Sequence, residues 1–491
     1  MKLKEILAGL EGLKVRGDLE IEIENLDRDS RNIKANSLFI AIKGFSDDGH
    51  NFIQTAVEQG ATAVMLQEGA DLEIVKKLPK EITVIMAKDT RYALAICSCN
   101  FYQNPSRRFK LIGITGTKGK TTTSFMTKAI LEKAGKKVGL IGTIATYIGD
   151  EKISDNERTT PESNKLQETF AKMVEAGCDA VVMEVSSQSL KLHRVAGCDF
   201  DIGVFTNFSQ DHISEKEHPD MQDYFNSKVE LFKMCKTAYI NADDYHVAKL
   251  SKLVPECNIT TYGIDNFCNV LAKDITITNS YVDFKVKLGM RNERIKTGIP
   301  GRFSVYNSLA AICIGEKLGA SVDQIKEALE NVRVPGRSEL VNNSKELTIM
   351  IDYAHSPESL ENILNAVKSY TRGRVISVFG CGGDRDTSKR PLMGEISGRI
   401  ADFSIITSDN PRTEDPQKIV EQIEEGIKKT KGKYTVIVDR IEAIKEAIKM
   451  SDKKDIILLA GKGHEPYQEI NGVKHPFDER IIVNDIIEGK I

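Results

Sequence analysis

Short apolar runs recur along the chain, and each is followed by a longer stretch in which apolar positions return at helical spacing. Uninterrupted apolar runs of this length predict strands covered on both faces, and their alternation with helices predicts an α/β fold. Up to residue 108, Ser37-Leu-Phe-Ile-Ala-Ile42, Ala63-Val-Met-Leu66 and Ile82-Thr-Val-Ile-Met86 predict a small α/β domain. A helical segment, Arg91–Tyr102, then leads through Asn104-Pro105 to a boundary. Beyond it, Leu111–Ile114, Val138–Ile141, Ala180–Met183, Ile202–Phe205 and Ala238–Ile240 predict a doubly wound parallel sheet. Within 258–299, Val282-Asp-Phe-Lys-Val-Lys-Leu288 alternates apolar and polar residues and predicts appended antiparallel strands. After Val334-Pro-Gly-Arg337 the strand–helix rhythm resumes with Thr348–Ile351, Val375–Phe379, Ser404–Ile406, Val436–Val438 and Asp455–Ala460. Three domains are expected, at 1–108, 109–334 and 335–491.

The first of the central apolar runs carries the strongest chemical signal. Leu111-Ile-Gly-Ile-Thr-Gly-Thr-Lys-Gly-Lys-Thr-Thr-Thr123 reads as buried strand, glycine turn and helix start, the arrangement that cradles nucleotide phosphates. Gly116 and Gly119 permit the turn, with Thr117, Lys118 and Thr122 in the same loop and helix start. Lys120 can reach the β- and γ-phosphates, and the Thr121 hydroxyl suits Mg²⁺. The loop is shorter than the common P-loop, because Ile114 stands where that pattern has its first glycine.

Composition narrows the class. The 491 residues suffice for several cores, and 68 Lys plus Arg against 71 Asp plus Glu give a net charge of −3. No global basic field argues for nucleic acid, so phosphate recognition is expected to be local. Nine cysteines without a Cys-x-x-Cys pair predict reduced, buried thiols in a cytoplasmic protein. No apolar run reaches membrane-span length, and neither signal nor anchor is expected.

Further candidates fall at strand ends. Glu184 closes an apolar run, which is where a doubly wound sheet opens its crevice, and a carboxylate there suits Mg²⁺. Phe205-Thr-Asn-Phe-Ser-Gln-Asp-His212 ends another run with Asn207, Asp211 and His212, and the helical segment Tyr224–Phe232 places Lys228 shortly after.

Together with Asp29-Ser-Arg31, Thr159-Thr-Pro161, Glu184-Val-Ser-Ser187, Asp352-Tyr-Ala-His355, Asp409-Asn-Pro-Arg412 and Gly461-Lys-Gly-His-Glu465, these segments resemble the Mur ligase family over essentially the whole chain. The resemblance implies three domains: a substrate-binding N-terminal domain, a central P-loop domain with a doubly wound sheet, and a Rossmann-like C-terminal domain. It implies an ATP-dependent ligase that adds the third amino acid to UDP-N-acetylmuramoyl-L-Ala-D-Glu through an acyl phosphate. In that reading Ser30 holds the uridine nucleotide, and Thr159, Thr160, Ser186 and Arg194 hold the muramoyl-peptide. Two Mg²⁺ ions are implied on Thr121, Glu184, His212 and a carbamate on Lys228, with Lys120 completing the catalytic set. Asn307 would read adenine, and Arg337 with Asp352 would complete the ATP site.

For the incoming amine, the Asp409-Asn410-Pro411-Arg412 form resembles that associated with meso-diaminopimelate. Arg412 and Arg385 could pair with carboxylates, and Glu465 and the Gly461 carbonyl could receive the distal ammonium. Gln188 and Leu192 stand where relatives commonly have histidine and glutamine, which leaves some peptide contacts open. L-Lysine or another diamino acid is the alternative substrate, and a P-loop regulatory NTPase is the remote one. A folylpolyglutamate synthetase would lack both the N-terminal domain and the Asp-Asn-Pro-Arg motif. The expected partners are small molecules only, with the chain a monomer.

Overall fold

The structure, a computed structural model, describes residues 1–491 apart from Ser46, Asp71, Glu157, His212, Glu215 and Lys216. It divides into two compact units, Met1–Val270 with Ala310–Ala320 and Leu271–Leu309 with Ser321–Ile491.

The first unit holds two sheets. In the N-terminal one, β1 (Lys14–Arg16), β2 (Asn25–Asp27), β3 (Ser37–Ile40), β4 (Ala61–Gln67) and β5 (Thr83–Ala87) lie in the order β1-β5-β4-β3-β2. All pair in parallel except β1, which runs antiparallel to β5. The helix Thr90–Phe101 starts where the Asp89 carboxylate accepts from the Arg91 and Tyr92 amides, a cap worth about 1 kcal/mol. It packs Ala93, Leu94 and Cys97 into a core with Leu38, Ile40, Met65 and Ile85.

The second sheet contains β6 (Lys110–Thr115), β7 (Val138–Ile141), β8 (Ala145–Ile148), β9 (Glu151–Asp155), β10 (Ala180–Glu184), β11 (Phe200–Phe205), β12 (Cys235–Asn241) and β13 (Asn258–Gly263). Their order is β13-β12-β11-β6-β10-β7-β8-β9, parallel from β13 through β7. The apolar runs fill its core, with Phe170, Val181, Phe200 and Phe232 fully or almost fully buried. The β8–β9 hairpin was not predicted, because β9 is exposed at every position and carries no apolar pattern.

In the second unit, β14 (Val270–Ile277), β15 (Val282–Leu288) and β16 (Arg291–Thr297) form the antiparallel array that the alternating pattern predicts. A further sheet takes β17 (Glu339–Leu340), β18 (Thr348–Asp352), β19 (Val375–Phe379), β20 (Phe403–Ile406), β21 (Tyr434–Val436) and β22 (Ile456–Ala460) in the order β17-β18-β22-β19-β20-β21. Separate cores on its two faces, one with Met393, Ile419 and Ile423 and one with Ala443, Ile444 and Val483, make it the Rossmann-like layer expected. Here β21 begins two residues before the predicted Val436–Val438, because its partner β20 ends at Ile406, opposite Val436. A hairpin of β23 (Tyr467–Ile470) and β24 (Val473–Pro476) lies near the C-terminus.

Candidate active site

The strand order puts the P-loop between two arms of chemistry. It follows β6, whose neighbours are β10, ending in Glu184, and β11, leading into Thr206 and Asn207. Gly116 adopts φ 144° and Gly119 φ 85°, and a Cβ on Gly116 would lie 1.9 Å from Thr206 Oγ1. Only glycine fits a backbone that is both so turned and so closely approached. Asn207 braces the loop by accepting from the Lys118 amide at 2.8 Å and donating to the Lys118 carbonyl at 3.1 Å. The helix Lys120–Lys133 starts at Gly119, so its unpaired first amides open at the loop, an arrangement able to receive an anion.

Glu184 is 1 % exposed and accepts from the Thr121 hydroxyl at 2.9 Å. It also accepts from the Thr143 amide at 2.9 Å and the Thr143 hydroxyl at 3.1 Å. Gly142 permits this approach, since a Cβ there would sit 2.2 Å from Glu184 Oε1. Thr143 Oγ1 lies 3.0 Å from Thr159 Oγ1, which links the carboxylate to the segment predicted to hold the peptide. Thr143 was missed in the sequence, because it lies in a loop without a motif of its own.

Lys120 and Lys228 meet at one carbonyl: Lys120 Nζ donates to Gly116 O at 2.8 Å, and Lys228 Nζ donates to the same oxygen at 3.1 Å. Lys228 also lies over the Tyr224 ring, 4.4 Å from its centroid. Burial, reinforced by the Lys120 charge, pushes the Lys228 amine well below the ordinary lysine value of 10.5, with Asp211 pulling weakly the other way. The fold therefore disfavours the charged form of this amine relative to an exposed lysine. Asp211 pairs with Lys118 at 3.1 Å. The predicted His212 lies outside the described residues.

Two cavities open beside this cluster. One of about 330 Å³ is lined by Lys120, Thr159, Ser186, Gln188, Arg194 and Lys228, so the predicted peptide-holding and catalytic residues share a wall. The other, about 650 Å³, is lined by Ser30, Phe45, Phe52, Leu192 and Arg194 among others. The two predicted departures, Gln188 and Leu192, thus face cavities rather than the core. Thr160 Oγ1 donates to the Glu184 carbonyl at 2.9 Å and accepts from the Ser186 amide at 3.1 Å. Arg194 donates to the Thr160 carbonyl at 3.2 Å and pairs with Glu162 at 3.0 Å.

A second feature missed in the sequence joins this wall. His218, fully buried, places Nε2 2.9 Å from Ser187 Oγ and Nδ1 2.7 Å from Asp223 Oδ2. Burial lowers its imidazole below the ordinary 6.5 against the pull of Asp223, and Lys191 and Lys228 add to the lowering.

In the second unit, Asn410 donates to Glu465 at 2.8 Å and accepts from Lys462 at 3.0 Å and from the Glu469 amide at 2.9 Å. Arg412, at a left-handed φ of 52°, donates from Nη1 to the Gly383 carbonyl at 2.7 Å and from Nε to Glu469 at 3.2 Å. Burial and Asp409 raise Glu465 above the ordinary carboxylate value. Gly461, at φ 117°, lies against Asp409, whose Oδ2 would meet a Cβ there at 2.3 Å. The sequence-predicted residues Asp409 to Arg412, Gly461 and Glu465 thus gather at one place, while Arg385 is exposed. Glu469 and Lys462 were not predicted. Asp352 accepts from the Ser338 amide at 2.8 Å, and burial raises its carboxyl against the pull of Arg337, whose guanidinium stacks 4.9 Å from the Tyr353 ring. Asn307 is buried in the helix Arg302–Lys317.

Among the described residues, no helix is long and apolar enough to cross a membrane, and no three His, Cys, Asp or Glu side chains cluster as a metal site.

Three family patterns match successive stretches: Mur ligase family, catalytic domain, over 22–102; Mur ligase middle domain over 114–315; and Mur ligase, glutamate ligase domain, over 336–463. The chain is 49 % identical over 491 residues, covering 99 % of each chain, to UDP-N-acetylmuramoyl-L-alanyl-D-glutamate--2,6-diaminopimelate ligase of Caldanaerobacter subterraneus subsp. tengcongensis. It is 45 % identical over 493 residues, again covering 99 % of each chain, to the protein of the same name from Clostridium tetani. A solved structure of a ligase of that name superposes with a TM-score of 0.73 at 28 % identity, covering 100 % of this chain and 99 % of the other. The fold also matches a MurF ligase from Thermotoga maritima in complex with ADP, with a TM-score of 0.61 at 18 % identity, covering 95 % of this chain and 97 % of that one.

Proposed function

This chain belongs to the Mur ligase family, and from that premise we propose that it is the ATP-dependent ligase that joins meso-diaminopimelate to UDP-N-acetylmuramoyl-L-alanyl-D-glutamate, a step of peptidoglycan precursor synthesis. The observation that carries the reading is the 49 % identity to a ligase of that name, sustained over 99 % of both chains. The domains are assigned as 1–108 for the uridine-nucleotide substrate, 109–334 for ATP and 335–491 for the amino acid. The working form proposed is a monomer in the cytoplasm.

The reaction follows from the side chains. A carboxylate oxygen of the dipeptide attacks the γ-phosphorus of ATP, ADP departs, and an acyl phosphate results. The amine then attacks the acyl carbon, and phosphate leaves the tetrahedral intermediate as the amide forms. Lys120 and the loop amides offset charge on the transferring phosphoryl, while Thr159, Ser186 and Arg194 fix the acceptor carboxylate in reach and Thr160, buried behind them, braces Ser186 and Arg194. Hydroxyl and carboxylate oxygens are the hard donors that Mg²⁺ takes, so the paired Thr121 and Glu184 fit it. They would hold it together with Lys228 as a carbamate, which converts the amine into an oxygen donor, and with His212. When bound, Mg²⁺ neutralises phosphate charge.

In the second unit, the Glu465 carboxylate, held by the Asn410 amide, offers an acceptor suited to an ammonium, and Arg412, held by Glu469, presents a fixed guanidinium suited to a carboxylate. Phosphate release measured with UDP-muramoyl-dipeptide, ATP and each of meso-diaminopimelate and L-lysine tests the reading. Release is expected only with all three substrates and at higher kcat/KM for diaminopimelate. Release without amine would overturn the ligase assignment, and equal use of lysine would overturn the specificity.

A further inference from the structure

Three side chains of the first unit form a hydrogen-bonded chain that ends in the wall of the 330 Å³ cavity. Ser187 opens the short helix Ser187–Lys191, Asp223 stands in the first turn of the helix Met221–Lys233, and His218 lies between them, 2.9 Å from the one and 2.7 Å from the other. Burial works against ionisation of Asp223, but hydrogen bonds from Lys191, at 2.7 Å, and from His218 prevail and hold its carboxyl below the usual range. An ionised carboxylate only accepts, so His218 Nδ1 carries the ring proton and Nε2 is bare. Ser187 therefore donates its hydroxyl proton to Nε2, and its oxygen keeps lone pairs for a further donor. Among the described residues no protein group fills that place, and Ser187 and His218 both border the cavity they share with Lys120, Ser186 and Lys228. In this order a buried carboxylate fixes the imidazole tautomer and stabilises the imidazolium that forms when a proton arrives through the hydroxyl.

Amide formation needs such a group. An amine that attacks an acyl carbon becomes cationic at nitrogen, and it must lose a proton if phosphate rather than the amine is to leave. The other polar groups of the cluster are engaged: Lys120 donates to two loop carbonyls, and the Glu184 carboxylate accepts from three donors. We propose that Ser187, His218 and Asp223 are the proton relay of the ligation step. As the carbon–nitrogen bond forms, the N–H bond breaks toward Ser187 Oγ and the serine O–H bond breaks toward His218 Nε2, with the electron pair staying on nitrogen. The carbon–oxygen bond to phosphate then breaks, and the proton returns through Ser187 to the departing phosphate, so no further reactant is consumed. This rests on the ligase reading and supplies the base that it lacks. Among the described residues, the charged groups facing His218 are Asp223, Lys191 and Lys228, with Glu217 beside it in the chain. Burial holds the imidazole below 6.5 against the pull of Asp223, and the two lysines add to the lowering, so the ring is unprotonated at neutral pH, as a base must be.

Hydroxylamine separates a relay from a merely structural role, because it is uncharged at neutral pH and captures an acyl phosphate without help from a protein base. With UDP-muramoyl-dipeptide and ATP, the wild type is expected to give amide from meso-diaminopimelate and hydroxamate from hydroxylamine. His218→Gln is expected to lower kcat for the amide about a hundredfold, while hydroxamate formation changes by less than about threefold. The acid limb of kcat against pH, present in the wild type, is expected to vanish from the residual amide activity of that variant. Ser187→Ala is expected to show the same split between the two products, and it decides alone should His218→Gln fail to fold. An equal fall in both products, or an amide rate within about threefold of the wild type, overturns the relay. A wild type that makes amide but no hydroxamate, or neither product, would overturn the acyl-phosphate reading itself and the relay with it.

Discussion

Lys120 sits where its ammonium can swing from two loop carbonyls, those of Gly116 and Thr117, to a phosphate oxygen. Lys120→Ala is expected to leave the fold intact and to lower kcat by about 10²–10³, or 2.7–4 kcal/mol, as for other preorganised charges in active sites. Circular dichroism and phosphate release on the same sample check both halves. His218 gives a pH signature. In the unfolded chain its imidazole takes up a proton near 6.5, whereas the fold keeps it unprotonated to lower pH. The unfolded state therefore binds more protons in that window, and stability, full above 6.5, falls as pH drops through it. His218→Gln should remove that part of the loss, so its Tm should fall less than the wild type's between pH 7.5 and 5.5 in a thermal melt. A variant that loses as much Tm as the wild type would show that other groups govern the acid limb. The sequence exposed Lys120 because strand, glycine turn and lysine are contiguous. It hid the Ser187–His218 contact because 31 residues separate the partners and only the fold brings them together.

At the scale of an element, the P-loop turn depends on close approach as much as on flexibility. Gly116→Ala would need φ near 144° and would drive its Cβ into Thr206 Oγ1, so the turn must open or Thr206 must move. Either change displaces the Lys118 backbone that Asn207 holds, and ATP affinity is expected to fall at least tenfold with a lower Tm. Isothermal titration with ATP and a melt in its absence separate the two effects; unaltered ATP affinity would show the loop tolerates the methyl. Buried strands such as β10 and β19 were legible because they are apolar at nearly every position. The β8–β9 hairpin was not, because an exposed strand owes its place to backbone pairing and leaves no apolar trace. Likewise β21 is positioned by where β20 stops, which the residues of β21 do not encode.

For the whole molecule, the alternation of apolar strands and helices announced the two sheets of the first unit and the six-stranded sheet of the second, but not the β23–β24 hairpin. The division into two compact units was less legible, because it depends on contacts between segments far apart in sequence. Each unit has its own buried cores, so heating in a calorimeter is expected to reveal more than one transition. UDP at a hundred times its Kd should stabilise the transition of the first unit by about 2.7 kcal/mol and leave the other in place. A single transition that shifts as a whole with UDP would show the units unfold together.

The distribution of sulfur makes that experiment possible without a fluorescent tag. All nine cysteines are free thiols, and all but Cys268 are buried. Eight belong to the first unit, and Cys381 alone belongs to the second, where burial pushes its thiol up to about 12. A folded second unit should therefore be silent toward a bulky disulfide reagent. Appearance of a mixed disulfide at Cys381, followed by intact mass and peptide mapping, becomes a clock for the opening of that unit, while Cys97 and Cys235 time the first. The wild-type chain thus carries one native reporter for the second unit and several for the first, and the two clocks can be read in the same tube.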